Sequence, residues 1–487
     1  MTADDQPTDE RAALPGASAV PYAFPRRRLL QIGAAAGTAM VVSSCSGSRR
    51  HSSSASTIAS SGTTTAGATG STTSTTRAPA QPGSLPSPAL AAGTDTLPQI
   101  DHIVVLMMEN HSFDNYLGML GRGDGFTLDA QGRPTAANAD ASGRLVRAFH
   151  MPNTCQLPKQ PATAWSATHT QWNGGRNDGF VRSDSGPVAM GYWSGQDLPF
   201  YYGLARTFPV ADRWFASCLT QTYPNRRFLM AGTAFGWIDH ETPKATDPLP
   251  PNGTIFDRLN QYDISWKDYY SDLPQAALFL PTLAANASHL AKVDQFFVDA
   301  AAGTLPAVSL VDPNFTKSSE ENPQDIEIGE AFAARVINAV LHGPAWPKTL
   351  LVWVYDEHGG YYDHVPPPAA IAPDSVPPNL AATDIRGGYD HYGFRVPAVI
   401  VSPYARPDYV SNVVHDHTSI LKLVETKWNL PTLTYRDANA DDLLDSLDLT
   451  SAPAFLTPPS LPAPANTTGV SSCAATGPGQ IPPASSV

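Results

Sequence analysis

The chain has 487 residues, of which 46 are proline, 36 are glycine and only 15% are charged. Its 44 acidic and 31 basic residues give a net charge of -13. This balance argues against a general nucleic-acid-binding protein, because a phosphate backbone recruits surfaces rich in Lys and Arg. The 4 cysteines are too few for a disulfide framework in a chain of this length. No apolar run reaches the roughly 18 to 20 residues of a membrane-spanning helix.

Residues 1–45 have the features of an export signal. The arginines at 26–28 stand before two leucines and a short apolar stretch from Ile32 to Val42. Adjacent arginines in front of an apolar core fit the twin-arginine type of signal. Cys45 follows small residues directly after that core, which predicts lipidation; the alternative is a cysteine lost with the cleaved signal. We therefore expect export by the twin-arginine pathway, followed by secretion or by anchoring to a membrane surface of the cell envelope.

Two further segments have compositions that predict disorder. Residues 46–96 are predicted to be a linker, since 19 of the 35 residues from Ser46 to Ala80 are Ser or Thr. Such a segment cannot bury enough apolar surface to offset the entropy of ordering it. Residues 451–487 form a Pro-, Ser- and Ala-rich tail, which we also expect to be disordered. The catalytic domain is then residues 97–450, a normal size for an enzyme with one large sheet.

Three apolar runs in this domain predict buried strands that lead into polar residues. They are His102–Met108 before Glu109 and Asn110, Thr349–Tyr355 before Asp356 and Glu357, and Val396–Val401 before Ser402. Runs without alternation are typical of strands buried on both faces of a parallel sheet. With amphipathic helices at 328–341 and 418–428, the predicted class is α/β, with helices on both faces of the sheet. Open α/β sheets place their sites beyond the carboxyl ends of strands, where the first two runs deliver acidic residues. Each acidic cluster alone could instead be a helix N-cap or a polar loop.

The stretch 220–233 contains the candidate nucleophile. Pro224 suits the first turn of a helix, and Thr222 stands two residues before it. Helix N-termini favour anions, so a hydroxyl there, beside Asn225 and Arg226, lies where a phosphate would bind. A threonine is a weak nucleophile unless a base or a metal activates its hydroxyl. The alternative interpretation is that Thr222 merely caps the helix.

Five stretches of the domain carry long and specific motifs. They are Ile100–Asp114 (with Glu-Asn-x-Ser-Phe-Asp), Met190–Tyr201, Thr222–Arg226, Asp356–Pro368 and Tyr392–Pro397. Together they resemble the bacterial phosphoesterase family that contains secreted phospholipases C and related acid phosphatases. The resemblance covers about Pro98 to Leu449. It implies an alkaline-phosphatase-like three-layer sandwich with a large, mostly parallel central sheet.

The resemblance also implies a metal-dependent phosphoric ester hydrolase with Thr222 as the covalent nucleophile. The metal shell that it implies consists of Glu109, Asn110, Thr222, Asp356 and Glu357, and the phosphate site is lined by His169, His364 and His417. A divalent cation can activate the hydroxyl, and water then hydrolyses the phospho-threonine. Asn225 and Arg226 would stabilise the equatorial phosphate oxygens. Oxygen ligands suit Ca, Mg or Mn, whereas additional His ligands would favour Zn.

Each histidine also has a structural interpretation that the sequence leaves open. His169 could be a surface loop residue, His364 could brace a turn, and His417 could cap the following helix. The chain departs from the phospholipase pattern where Glu320 and Glu321 replace histidines, which removes possible cationic contacts to phosphate.

Three functions therefore remain in competition. The first is a phospholipase C-like enzyme acting on phospholipids, and the second is an acid phosphatase acting on small phosphate monoesters at the same site. The third is a tethered surface binding protein without catalysis, against which the retained nucleophile and ligand residues argue.

Overall fold

The computed structural model describes residues 78–483; the predicted signal, Cys45 and most of the predicted linker lie outside them. The strands are β1 His102–Met108, β2 Ala137–Ala139, β3 Leu145–Arg147, β4 Phe149–His150, β5 Gly191–Tyr192, β6 Val210–Ala211, β7 Trp266–Tyr270, β8 Leu290–Lys292, β9 Val308–Val311, β10 Thr349–Tyr355, β11 Ala398–Val401 and β12 Val410–Ser411. The helices are α1 Phe113–Leu117, α2 Trp165–Trp172, α3 Pro199–Thr207, α4 Thr222–Ala231, α5 Ile255–Gln261, α6 Leu280–Ala285, α7 Val293–Ala302, α8 Ile326–Leu341, α9 His417–Trp428, α10 Tyr435–Ala438 and α11 Cys473–Thr476.

The centre of the fold is an eight-stranded sheet in the order β12-β6-β11-β10-β1-β9-β7-β8. All of its strands run in one direction except β11, which is antiparallel to both neighbours. The predicted α/β class with a large, mostly parallel sheet is therefore confirmed. The register of β1 and β10 pairs Met108 with Tyr355, so Glu109 and Asp356 leave the two central strands side by side.

The third predicted strand has a different direction from the one expected. Val396–Val401 forms β11 at Ala398–Val401, and Val354 at the end of β10 pairs with Ala398 at its start. Its carboxyl end and Ser402 consequently face the opposite edge of the sheet. Arg395, which precedes β11, lies at the edge where the carboxylates of β1 and β10 emerge.

Helices cover both faces of the sheet. All seven residues of β10 are buried, and because side chains of a strand alternate between faces, each face must be covered. On one face, α8 packs against β1 and β10 and is joined by α3 and α7; a second group is formed by α4, α9 and α10. The helices predicted at 328–341 and 418–428 are confirmed as α8 and α9, and each starts slightly earlier, after an Asp N-cap. Within residues 78–483, no helix has the length and apolar character to span a bilayer.

The prediction of a disordered tail is wrong for residues 451–483, which pack on the domain. The Phe455 ring lies 4.8 Å from the Phe208 ring, and the Ala465 N–H donates to the Glu330 carboxylate at 3.1 Å. A disulfide joins Cys473 of the tail to Cys155. Composition misses this docking because a few spaced anchors and one covalent link are enough to hold a polar segment.

The start of the domain also lies earlier than the predicted boundary at residue 97. Residues 78–96 contact α9 and the loop after it, where the Ser87 N–H donates to Asn429 at 2.8 Å. Lys427 of α9 forms an ion pair with Asp95 at 2.5 Å. These residues therefore belong to the folded unit rather than to the linker.

We expect Cys473→Ser to lower the free energy of unfolding by about 2–4 kcal/mol, because the disulfide restricts the unfolded chain. Urea unfolding and limited proteolysis of the tail provide the measurement. Cys155→Ser and the double variant should match the single variant, since all three remove the same bond. Unchanged stability in all three would contradict the disulfide.

Candidate active site at the carboxyl edge of the sheet

Three central strands deliver buried acidic side chains to one edge of the sheet. Glu109 follows β1, Asp356 and Glu357 follow β10, and Asp312 follows β9. Each is at most 1% exposed. Sequence reasoning missed Asp312, although it directly follows the apolar run Val308–Val311 and so obeys the same rule as the other two clusters.

The Thr222 side chain lies against this cluster. Thr222 is the first residue of α4, and Gln221 takes the N-cap position, so Thr222 is not the cap. Its hydroxyl oxygen lies 3.4 Å from the side-chain amide of Asn110 and is 1% exposed. The helix N-terminus places positive partial charge beside that oxygen.

The Asn110 amide connects four of the five predicted metal ligands. With its nitrogen towards the carboxylates, it donates to Asp356 Oδ1 at 2.9 Å and to Glu357 Oε1 at 3.2 Å, and its oxygen accepts from Gln160. If the oxygen faces the carboxylates instead, only acceptors meet there unless a carboxyl group is protonated, and a cation between them would stabilise that arrangement. Oxygen donors with two carboxylates are the ligand set that Mg²⁺, Ca²⁺ or Mn²⁺ prefers. These residues therefore fit the divalent cation that the family resemblance implies.

The fifth predicted ligand, Glu109, faces a buried guanidinium. Arg226 donates from Nε to Asp356 at 2.9 Å and from Nη1 to Asp312 at 2.8 Å, and its Nη2 lies 3.6 Å from Glu109 Oε1. Burial opposes the charge of Arg226, but the three carboxylates outweigh it and raise its pKa. Two of the three guanidinium nitrogens thus donate hydrogen bonds to carboxylates. The third, Nη2, lies at ion-pair distance from Glu109 but forms no hydrogen bond with a residue in 78–483.

Burial dominates the titration of the acidic groups around Arg226. It raises the pKa of Asp312 to about 7, although Arg226 acts in the opposite direction. It also raises the pKa of Asp356 and of Glu357 well above their usual range. A cation bound among these groups would favour their ionised forms.

Asn225 has a role different from the predicted contact with phosphate. Its Oδ1 accepts from the Cys218 N–H at 3.0 Å, and its Nδ2 donates to the carbonyls of Thr220 and Gln221 at 2.9 and 3.1 Å. All of these contacts lie in the segment that leads into Thr222. Asn225 therefore fixes the loop before Thr222.

His417 contacts the cluster through the backbone. Its Nε2 lies 2.7 Å from the carbonyl oxygen of Asp356, and burial lowers its pKa to about 4, so the ring is neutral at pH 7. Asp416, rather than His417, caps α9. His417 thus holds the chain at Asp356.

The other two predicted histidines have partners elsewhere. His169 Nδ1 lies 2.8 Å from the Trp165 carbonyl in α2, and His364 contacts the carboxylates of Asp114 and Asp124 at 2.8 and 3.2 Å. Among residues 78–483, none of their hydrogen bonds reaches the cluster around Thr222. The contacts of His364 favour its structural interpretation, and a phosphate-binding role for either histidine stays a prediction.

Asp114, Asp363 and His364 form a compact group with metal-ligand atoms, but a protein cation already lies among them. Arg395 donates to Asp363 at 2.8 Å and to Asp114 at 3.2 Å. Because Arg395 and a protonated His364 together balance the two carboxylates, this group is a structural ion-pair network.

The network predicts a pH dependence of stability. Burial opposes the charge of His364, but Asp114 raises its pKa to about 9. The contribution of protonated His364 to the free energy of unfolding is therefore complete below pH 6.5, roughly the pKa of histidine in the unfolded chain. This contribution is lost as the pH rises through about 9. We expect His364→Gln to remove this loss, as measured by urea unfolding between pH 6 and 10. His169→Gln should leave the slope above pH 7 unchanged, since burial lowers the pKa of His169; a wild-type slope in His364→Gln would contradict the assignment.

A small cavity adjoins Thr222. It has a volume of about 20 Å³, and its lining includes Glu109, Thr222, Arg226, Gln275, Leu278 and Phe315. This is room for roughly one water molecule. The cavity thus joins the hydroxyl of Thr222 to charged groups on one side and apolar side chains on the other.

Known proteins share this sequence pattern. The model of the phosphoesterase family matches residues 100–431. Phospholipase C A of Mycobacterium tuberculosis is 31% identical over 74% of this chain and 79% of its own length. Non-specific phospholipase C1 of Arabidopsis thaliana is 30% identical over 74% of each chain. A solved structure of an alkaline phosphatase superfamily protein from Vibrio parahaemolyticus covers 61% of this chain and 72% of its own, at 10% identity and a TM-score of 0.33, a likeness too weak to bear on the fold.

Proposed function

We propose that this chain, which belongs to the phosphoesterase family and is a phosphoric ester hydrolase, cleaves phospholipids in the manner of a phospholipase C. Thr222 is the nucleophile, and a divalent cation is held by Asn110, Asp356 and Glu357. The observation that carries this proposal is the Thr222 hydroxyl, which lies 3.4 Å from the amide that contacts both carboxylates.

The arrangement supports attack by Thr222 on phosphorus. A bound cation lowers the pKa of the hydroxyl and neutralises phosphate charge. The start of α4 stabilises negative charge beside the hydroxyl, and the guanidinium of Arg226 lines the adjoining cavity. Attack forms a bond between Thr222 Oγ1 and phosphorus while the bond between phosphorus and the diacylglycerol oxygen breaks. The proton lost from the Thr222 hydroxyl is balanced by the proton that the leaving oxygen takes up, so that the lipid is released as the neutral alcohol. Water then cleaves the phospho-threonine and releases the phosphorylated headgroup.

The second candidate function is a phosphomonoesterase with the same nucleophile. It is favoured by the size of the cavity at Thr222, which has room for about one water molecule and is lined by residues that are mostly buried. A small monoester requires less rearrangement of the buried residues around Thr222 than a diacylglycerol does.

Hydrolysis assays on the purified protein separate the two candidates. Phosphatidylcholine, sphingomyelin and p-nitrophenyl phosphate are offered with and without a chelator. The proposal predicts release of phosphocholine, loss of this activity on chelation, and recovery with added Mg²⁺ or Mn²⁺. Cleavage of the monoester alone would establish the second candidate. Full activity after exhaustive chelation would refute metal dependence.

We also propose that the protein is exported by the twin-arginine pathway and anchored through Cys45. The support is the run of arginines at 26–28 before the apolar stretch Ile32–Val42 and the cysteine that follows it. Metabolic labelling of cells with a fatty-acid probe tests the anchor: the label should disappear in Cys45→Ser. A label that persists in this variant would exclude lipidation at Cys45.

A further inference from the structure

Two buried polar atoms without hydrogen-bond partners line the cavity beside Thr222. One is a donor, Arg226 Nη2, and the other is an acceptor, Gln275 Oε1. Neither forms a hydrogen bond with any residue in 78–483, and both side chains are at least 95% buried. Buried polar groups are nearly always satisfied by protein or by water, so this pair indicates an occupant that can accept one hydrogen bond and donate another.

A hydrogen bond to Asp312 fixes the orientation of the Gln275 amide. Its Nε2 donates to Asp312 Oδ1 at 2.9 Å, and the same oxygen accepts from Arg226 Nη1 at 2.8 Å. Since nitrogen and oxygen share one planar amide, this bond directs Oε1 away from Asp312. Asp312 thus accepts hydrogen bonds from both Arg226 and Gln275, the two lining residues that have an unpartnered atom.

The dimensions and lining of the cavity fit a single water molecule. Its volume of about 20 Å³ exceeds the roughly 10–15 Å³ that one water requires. A water there can accept from Arg226 Nη2 and donate to Gln275 Oε1, and the Thr222 hydroxyl is a further polar neighbour. Leu278 and Phe315 in the same lining exclude bulk solvent.

We infer that Gln275 and Arg226 hold the water that hydrolyses phospho-Thr222. This inference rests on the proposed function. The water oxygen forms a bond to phosphorus while the bond between phosphorus and Thr222 Oγ1 breaks. One water proton passes to the Thr222 oxygen, which leaves as the hydroxyl, and the other stays on the released phosphate group. Gln275 remains neutral throughout: its carbonyl accepts a proton of the water in a hydrogen bond and so directs the oxygen lone pair towards phosphorus.

Rapid-quench kinetics of Gln275→Met test this role. Methionine has a similar volume but no amide, which limits repacking. The substrate is whichever p-nitrophenyl ester the wild-type protein cleaves, the phosphate or the phosphocholine diester. We expect a burst of about one p-nitrophenol per protein at nearly the wild-type rate, followed by a steady state slower by roughly 100-fold. The phosphoryl group should accumulate on Thr222 and be found there by mass spectrometry after acid quenching.

Thr282→Val is the matched control, because Thr282 is a buried residue of the neighbouring α6 with an unpartnered hydroxyl but no place in the cavity lining. Both kinetic phases should keep the wild-type rate. In Gln275→Met, equal slowing of the burst and the steady state, without phospho-Thr222, would overturn the inference and leave the proposed function standing. If Thr222→Ala also retained turnover, the proposed function itself would fall.

Discussion

Thr222→Ala should lower kcat on phosphate esters by roughly 10³-fold or more, because removal of a covalent nucleophile eliminates the attacking atom. Thr222→Ser keeps a hydroxyl at the same place and should retain part of the activity. Initial rates at saturating substrate provide the measurement. A buried hydroxyl contributes only about 1 kcal/mol to stability, so urea unfolding should show the Ala variant folded.

The outcome separates catalysis from structure. Loss of turnover in the Ala variant, with the fold intact and partial activity in the Ser variant, supports the covalent role. Wild-type kcat in the Ala variant would exclude Thr222 as the nucleophile, even though its hydroxyl lies beside Asn110.

Arg226→Met should be the most destabilising single change in the site. It leaves Asp312, Asp356 and Glu109 without their shared counter-charge, which typically costs about 3–5 kcal/mol in a buried network. With a chelator present, the loss should be larger at pH 8 than at pH 5. Without Arg226 the folded-state pKa of Asp312, already raised to about 7, rises further, and an acid whose folded pKa is raised loses stability as the pH increases.

Arg227→Met is the matched control for this measurement. Arg227 is the next residue of α4 and equally buried, but it donates to the carbonyl of Leu278 at 2.7 Å and, among residues 78–483, lies in no ion pair with a carboxylate. The loss in free energy of unfolding that Arg227→Met causes, measured with urea, should be the same at pH 5 and pH 8. Equal pH profiles for the two variants would contradict the electrostatic role of Arg226.

The local sequence pattern was sufficient to predict the site residues that directly follow strands. The apolar runs of β1 and β10 are continuous, and parallel pairing brings their carboxyl ends together, so Glu109 and Asp356 meet as predicted. The same rule would have found Asp312. Pro224 and the hydroxyl before it likewise predicted the start of α4.

The features that depend on long-range partners could not be predicted in this way. The direction of β11 is decided by its neighbours, which the run 396–401 does not encode. The docking of residues 451–483 depends on anchors such as Phe455 and on the disulfide from Cys473 to Cys155. Asn225 is a different case, because its partners Cys218, Thr220 and Gln221 are near in sequence, but the residue type alone does not tell whether an amide binds phosphate or backbone.

The most direct test of the account is the position of the cation. Anomalous X-ray scattering from crystals loaded with Mn²⁺ locates the ion without reference to activity. We expect a peak within coordination distance of Asn110, Asp356 and Glu357 and beside Thr222 Oγ1. A peak only at Asp114 and Asp363, or no peak in crystals of protein that is fully active without metal, would contradict it.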